Sequence, residues 1–145
     1  SPHAHAADHS QHQQLVELPG RRRSLLVGIN YRDTDAELSG CHNDIHRIRE
    51  AIGSRWNFPG SAEHQRVLLD EVGQPQELLP TLANLRSGIA WLVDGARTGD
   101  VLYFHYSGHG GREPDGNGNH HETLCPLDYE TAGMLMDTEM FNALV

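Results

Sequence analysis

The chain has 145 residues, of which 37% are hydrophobic and 21% are charged, and its formal net charge at pH 7 is −9. This length fits one domain with a single core, and no apolar run approaches the roughly 20 residues that a membrane-spanning helix needs. A nucleic-acid-binding protein carries a basic stripe, which this acidic chain lacks. We therefore expect neither a nucleic acid nor a membrane as a partner.

The first 22 residues differ in composition from the rest. They contain four histidines with Gln and Ala and show no apolar periodicity, which predicts a disordered tail over 1–22 and a folded domain over 23–145. The chain starts without Met and stops at Val145 without a helix stop signal, so we expect a segment of a longer protein.

Cysteine usage bears on the compartment. The chain has two cysteines, Cys41 and Cys125, which are too few for a disulfide scaffold. The start of the chain also has no apolar signal segment. We expect a reducing compartment, and hence a cytoplasmic protein.

Strand and helix signals alternate from residue 24 onward. The apolar run 24–30 predicts a strand buried on both faces. Asn43 or Asp44 can cap a helix that follows. Apolar residues then recur on one face of this helix, namely Ile45, Ile48 and Ile52. A second buried strand is predicted over 66–70.

A second helix and a third strand come next. The helix opens at 80–81 and keeps a continuous apolar face from Leu82 to Ala96. The run 101–106 predicts the third strand. The β-α-β-α-β order predicts an α/β domain with a parallel sheet and helices on both faces.

The last part of the chain gives weaker signals. Residues 108–119 are rich in Gly and Asn and predict a loop. A short extended piece over 123–127 follows, in which Pro126 argues against a central strand. Asp137 or Thr138 can cap a final helix.

Two motifs follow predicted strands, where parallel sheets gather ligand chemistry. The first is Ser-Gly-His-Gly-Gly over 107–111. Histidine is the side chain that most often acts as a general base, so His109 is a candidate for that role, and the N–H groups of Gly110 and Gly111 can donate to an oxyanion. The alternative interpretation is a glycine turn with an incidental histidine.

The second motif is Gly-Cys-His-Asn-Asp over 40–44. Cys41 lies just before the predicted helix, where the helix dipole lowers the pKa of a thiol. Asp44 near the strand end can pair with a cationic group of a ligand. The alternatives are a small buried cysteine and an N-cap aspartate.

Several blocks of the chain resemble metacaspases, most closely the type I metacaspases of fungi, protists and algae. The resemblance covers residues 23–145, with the blocks in the family's order and spacing. The blocks are residues 25–31, 37–44, 99–111, 126–133 and 136–140. The resemblance implies a caspase-like three-layer α/β sandwich, with a mostly parallel sheet and the C-terminal part of the fold missing. It also implies a cysteine endopeptidase that cleaves after Arg or Lys in basic peptide or protein substrates, with a link to programmed cell death.

The resemblance also implies roles for individual residues. His109 matches the catalytic histidine, and Gly110 matches the glycine whose N–H helps to form the oxyanion hole. Asp44 matches an acidic residue of the pocket that binds the basic side chain. Ser107 and Cys41 match positions that line this cleft, and Cys41 also matches a second cysteine near the active site.

The nucleophile of the family is not found in this sequence. In metacaspases it lies in an Asp-x-Cys-His-Ser-Gly block on the next strand, and this chain contains no such block. Cys125 follows Thr-Leu and does not match it. We expect the nucleophile beyond Val145, in a small-subunit part that partners this chain, so the chain alone is predicted to be inactive.

Two alternatives remain open. One is a non-catalytic caspase-like module that acts in binding or regulation, with one sheet edge left unpaired. The other makes Cys41 a substitute nucleophile beside His109.

The calcium ligands of the family are only partly present. The resemblance implies aspartates at the positions of His121, Asp137 and Thr138 and another beyond this chain, and of the three positions within it only Asp137 keeps its aspartate. Calcium prefers several hard oxygen ligands, so we predict weak calcium binding and assign no firm cofactor. His42 and His46 share one face of a helix, but Asn43 stands where a zinc peptidase motif has Glu.

Overall fold

The computed structural model describes residues 20–144. Most of the predicted tail 1–22, including its four histidines, lies outside the described residues, and the first strand begins at its last residue. The strands are β1 Arg22–Gly28, β2 Gln65–Leu69, β3 Val101–Ser107, β4 Gly110–Pro114, β5 His120–Leu124 and β6 Leu135–Met136. The helices are α1 Cys41–Trp56, α2 Leu82–Val93, α3 Tyr129–Ala132 and α4 Asp137–Leu144, with a 3-10 turn over Gln76–Leu78. Between residues 20 and 144, no helix is long and apolar enough to cross a membrane.

The main sheet is parallel, with strand order β2-β1-β3. Its central strand holds Leu25, Leu26 and Val27, whose side chains have no exposed surface. This confirms the prediction of a strand buried on both faces. β3 pairs with β1 along one side, and among the described residues no strand pairs with its other side.

Alternate residues of β1 face opposite sides of the sheet. Leu25 and Val27 pack in one apolar cluster with the buried face of α2. Leu26 packs in a second cluster with Ile45 and Ile52 of α1. The two helices therefore cover opposite faces, which confirms the predicted α/β class with three layers.

The two main helices begin in different ways. α2 begins where it was predicted and has a local cap, because Oγ1 of Thr81 accepts the N–H of Asn84 at 3.2 Å. α1 begins at Cys41, after Gly40 with φ +116° and no side-chain cap of its own. The predicted caps Asn43 and Asp44 were wrong: both lie inside the first turn.

The start of α1 is capped from a distance. Oδ1 of Asn30, in the loop after β1, accepts the backbone N–H of Cys41 at 3.0 Å. This contact satisfies one of the N–H groups that a helix leaves without an internal partner at its start. The first turn of α1 is thereby tied to the end of the central strand.

The predicted loop over 108–119 was wrong for Gly110–Pro114, which forms β4. β4 and β5 form an antiparallel hairpin, and β6 pairs with β5 to make a second small sheet. At the hairpin turn, Oδ1 of Asp115 accepts the N–H groups of Asn117 at 2.7 Å and Asn119 at 3.1 Å. Glycines and charged residues fill β4, so it has no apolar alternation that would have indicated a strand. β5 ends at Leu124, before Pro126.

Replacement of Gly28 by Ala is expected to disturb the packing of α1 against β1. A Cβ on this residue would lie 2.6 Å from Cγ1 of Ile45 and 3.0 Å from the carbonyl oxygen of Cys41. Because α1 must then move, we expect Gly28→Ala to lower the free energy of unfolding by about 1–3 kcal/mol in urea denaturation of the full-length protein.

Gly53→Ala is the matched control for this measurement. The nearest atom to its Cβ would be the carbonyl oxygen of Phe58 at 3.7 Å, so nothing needs to move. Ala is the better helix former, and we expect a gain of up to about 1 kcal/mol. Equal stability changes for the two variants would contradict the close helix–strand contact.

Candidate active site

The predicted site residues gather at the carboxyl edge of the main sheet. Gly28 and Ser107 end β1 and β3 side by side, and the N–H of Ile29 donates to the carbonyl of Ser107 at 2.9 Å. The first turn of α1 brings Cys41 and Asp44 to this edge. His109 and Gly110 follow β3 directly, so the predicted residues come from three segments of the chain to one edge.

Asp44 and Ser107 line one cavity of about 350 Å³. The cavity lies between the start of α1 and the end of β3, and Asp44 is exposed to solvent. Its other lining residues are Arg47, Ile48, His105 and Tyr106. Oγ of Ser107 lies 3.1 Å from Nε2 of His105, which fixes the hydroxyl at the cavity wall. The structure therefore places the carboxylate of Asp44 and the hydroxyl of Ser107 at the same cavity. Its described lining does not include Cys41 or His109.

The imidazole of His109 has one nitrogen fixed and one left to accept a proton. Its Nε2 lies 2.6 Å from the carbonyl oxygen of Ala36. A carbonyl oxygen can only accept a hydrogen bond, so the proton sits on Nε2 and the neutral ring has its lone pair on Nδ1. Nδ1 is then the atom that can act as a base. Sequence reasoning missed Ala36, because a backbone acceptor leaves no side-chain signal.

Two tyrosine hydroxyls hold the backbone of His109. Oη of Tyr31 accepts the N–H of His109 at 3.0 Å and donates to the carbonyl of Cys125 at 2.6 Å. Oη of Tyr106 lies 3.0 Å from that of Tyr31 and donates to the carbonyl of His109 at 2.8 Å. The Tyr31 ring also lies against the imidazole, with 4.8 Å between ring centroids. The histidine is therefore fixed at its N–H, its carbonyl and its ring.

The two hydroxyls keep their protons over the physiological range. Burial, with help from the neighbouring Tyr106, raises the pKa of Tyr31 far above its ordinary value. Burial likewise raises the pKa of Tyr106 to about 12. Both groups thus remain hydrogen-bond donors, as the two carbonyl contacts require. Tyr31 belongs to a predicted block, but sequence reasoning gave it no role.

The predicted activation of Cys41 is wrong in direction. Burial raises the pKa of its thiol, and the carboxylates of Asp44 and Asp70 add to the rise. A helix start contributes only about 0.3–1 kcal/mol in favour of an anion, which burial beside two carboxylates outweighs here. Cys41 therefore stays a thiol near neutral pH, which does not favour it as a substitute nucleophile.

Gly110 is exposed and opens β4, where it lies opposite Leu124. The N–H of Cys125 donates to the carbonyl of His109 at 3.0 Å, so the open end of the β4–β5 hairpin lies directly beside the histidine. This places the backbone of Gly110 next to His109. Its role in an oxyanion hole stays a prediction.

The surroundings of Asp137 do not suit calcium. Its Oδ1 lies 3.7 Å from Nδ1 of His121, and its Oδ2 accepts the N–H of Glu122 at 3.3 Å. The side chain of Glu122 pairs with Arg112 at 3.1 Å. Over residues 20–144 no group of three or more His, Cys, Asp and Glu could hold a metal ion. Among these described residues, one carboxylate that already accepts an N–H and lies beside an imidazole is a poor donor set for a cation that takes six to eight oxygens.

The Cys41 thiol gives a direct test of the electrostatics at this edge. We expect its alkylation by iodoacetamide, followed site by site by mass spectrometry across a pH series, to have its midpoint above the ~8.5 of a free cysteine. Asp44→Asn removes a negative charge that opposes the thiolate, so it should move the midpoint to lower pH.

Asp94→Asn, at the end of α2, is the control and should leave the midpoint unchanged. A midpoint below that of free cysteine in the unsubstituted protein would contradict the assigned causes.

Comparison with known families agrees with this geometry. The family model described as metacaspase, peptidase C14 domain matches residues 22–145. The chain is 38% identical over 136 residues to Metacaspase-1 of Cryptococcus neoformans, covering 91% of this chain and 29% of that protein. It is 40% identical over 141 residues to Metacaspase-1 of Arabidopsis thaliana, covering 94% of this chain and 38% of that protein.

A third relative gives the same result. Metacaspase-1 of Schizosaccharomyces pombe is 38% identical over 136 residues, which is 91% of this chain and 31% of that protein. The chain thus spans about a third of the length of these relatives. The parallel sheet with helices on both faces is consistent with a caspase-like fold, of which the chain forms a fragment. By sequence and architecture, the chain belongs to the metacaspase, peptidase C14, family of caspase-like cysteine peptidases.

Proposed function

We propose that this chain supplies the general base and the substrate pocket of a cysteine endopeptidase that cleaves after Arg or Lys. One observation carries the proposal. The Nε2–H of His109 is held by the carbonyl of Ala36, which leaves Nδ1 as the proton acceptor at the carboxyl edge of the sheet. A histidine held in this way is oriented for proton transfer, as general-base catalysis requires.

The nucleophile in this proposal is a cysteine supplied by sequence that follows Val145. Nδ1 of His109 takes the proton of its thiol, and the thiolate attacks the carbonyl carbon of the scissile bond. The imidazolium then gives this proton to the departing amine, and water hydrolyses the acyl-enzyme. The N–H of Gly110 donates to the oxyanion that forms in between. The donor set around Asp137 supports no step that involves calcium.

The open side of β3 supports a place for the strand that brings the nucleophile. Among the described residues this side has no pairing strand, although β3 carries Ser107 at its end and precedes His109. A strand added there would lie beside the histidine. We therefore propose that the remaining small-subunit part of the domain pairs with this edge.

The pocket supports a basic substrate residue directly before the cleaved bond. Asp44 lines a cavity whose volume of about 350 Å³ is in the range of small-ligand sites. A carboxylate forms a shorter and stronger hydrogen bond with a guanidinium or ammonium group than a neutral acceptor does. The net charge of −9 also attracts basic peptides. Ser107 on the same cavity wall completes the proposed contacts near this side chain, whereas the predicted Cys41 is not part of this lining.

A non-catalytic module is the second candidate. The same open edge of β3 favours it, because an unpaired strand is a template for another chain. Such a module would bind a strand at β3 and would have no use for the fixed imidazole. Peptidase assays on the protein from the complete reading frame separate the two functions.

Replacement of His109 tests the proposed base. In the protein expressed from the complete reading frame, we expect His109→Gln to reduce hydrolysis of a fluorogenic Arg peptide by about 10²–10⁴-fold, the usual contribution of a general base. The control His120→Gln alters an exposed histidine of β5 and should retain full activity. A fully active His109→Gln enzyme would rule out the proposed base, and an inactive unsubstituted enzyme would favour the binding module.

Replacement of Asp44 tests the proposed pocket. Asp44→Asn removes the charge that pairs with the basic side chain, so we expect KM for an Arg peptide to rise about 10- to 100-fold, with a smaller change in kcat. The preference for Arg over norleucine at the cleaved position should fall in parallel. Glu50→Gln, elsewhere on α1, is the charge-matched control. An unchanged Arg preference in Asp44→Asn would show that another group binds the cation.

A further inference from the structure

Asp70 is a buried carboxylate with three partners at the same edge of the sheet. It directly follows β2, and its side chain is 5% exposed. Its Oδ1 accepts the backbone N–H of Asn30 at 2.9 Å, and its Oδ2 accepts the N–H of Tyr31 at 2.8 Å. Nε2 of His42 lies 2.5 Å from the same Oδ1. A buried charge needs such partners, and these three come from two different segments of the site.

The two residues that Asp70 holds are the ones that position the site. The side chain of Asn30 accepts the N–H of Cys41 at 3.0 Å and so caps α1. The backbone carbonyl of Asn30 accepts the N–H of Leu38 at 2.7 Å, which closes the loop 30–38 on itself. Tyr31 holds His109 through its hydroxyl. Ala36, the acceptor of the imidazole proton, lies within this loop.

Tyr31 has a backbone conformation that needs outside support. Its φ is +50°, in the left-handed region that bulky residues rarely adopt. Such a conformation persists only where the surrounding contacts fix it. The hydrogen bond from its N–H to Asp70 is one of those contacts.

The contact with His42 extends the same support to α1. His42 is the second residue of α1, two positions before Asp44. The neighbouring Glu71 is more exposed, at 44%, and lies 3.9 Å from His42 and 3.7 Å from His46. Asp70 is thus the inner of two adjacent acids, and it alone of the two accepts hydrogen bonds from the loop backbone in the described structure.

We propose that Asp70 is a positioning residue, which holds loop 30–38 and the first turn of α1 in one arrangement so that His109 and Asp44 address the same substrate. The proposal rests on the proposed function, since it assigns Asp70 a part in that reaction. Asp70 itself touches no reacting atom. It acts through Tyr31 on the histidine, and through Asn30 and His42 on the helix that carries Asp44.

Asp70→Asn is the direct test, in the protein expressed from the complete reading frame. The amide replaces one acceptor oxygen by a donor, so one of the two loop N–H groups loses its partner. We expect kcat for an Arg peptide, divided by the number of titrated active sites, to fall about 10- to 100-fold. A merely structural role would lower the number of active sites and leave kcat per site unchanged. Glu71→Gln is the matched control and should keep kcat per site.

Hydrogen–deuterium exchange gives a second readout that does not depend on activity. In Asp70→Asn the amides of loop 30–38 should exchange at least several-fold faster, while those of α2 stay as in the unsubstituted protein. Faster exchange in α2 as well would mean general destabilisation and would overturn the proposal. Unchanged exchange in the loop would also overturn it.

Tyr31→Phe covers the case in which Asp70→Asn does not fold. This variant keeps the ring and the N–H contact with Asp70 but loses the hydroxyl that holds His109, so kcat per site should fall. An unchanged kcat per site would break the link from Asp70 to the histidine.

The two proposals fail in different ways. If the unsubstituted protein shows no peptidase activity, the proposed function fails and loop exchange still decides whether Asp70 holds the loop. If the enzyme is active and His109→Gln is not, but Asp70→Asn keeps its kcat per site, only the role of Asp70 is overturned.

Discussion

The rest of the structure depends on the burial of β1 from both sides. Leu25 and Val27 face α2 while Leu26 faces α1, so a single strand fixes two helices and two neighbouring strands. Burial of these side chains contributes about 1.5–3 kcal/mol each relative to exposure. Because all strands of this sheet run parallel, their carboxyl ends meet at one edge. The same packing that stabilises the core therefore determines where the site forms.

At that edge, polar contacts take over from apolar packing. A carboxylate, an amide and two tyrosine hydroxyls connect the ends of β1, β2 and β3 in one network around Asn30, Tyr31 and Tyr106. Each member is partly or fully buried, so a donor or acceptor left without a hydrogen bond would destabilise the fold. The network therefore favours a single arrangement. This explains how loop 30–38 can present the backbone carbonyl of Ala36 to His109 at a defined place.

The sequence predicted the parts of this design that depend on local pattern. The apolar run 24–30 and the helical faces identified the core because their periodicity shows directly which side is buried. The same pattern placed His109 and Asp44 at strand ends. It could not reveal Asn30 as the cap of α1, since the contact joins residues 11 positions apart. The hairpin of β4 and β5 was not predicted, because it is polar and exposed and is defined by strand pairing rather than by an apolar face.

The acceptor for the His109 proton has a consequence for how this family can change over evolutionary time. A main-chain carbonyl cannot be deleted by substitution, so the acceptor persists with any residue that fits where Ala36 packs against the apolar core. The N–H of Ala36 donates to Oγ1 of Thr34 at 3.2 Å. Proline, which has no N–H, is therefore the residue least compatible with position 36. Selection on this contact should therefore appear mainly at residues that shape the loop backbone, and small residues other than alanine should be tolerated at position 36.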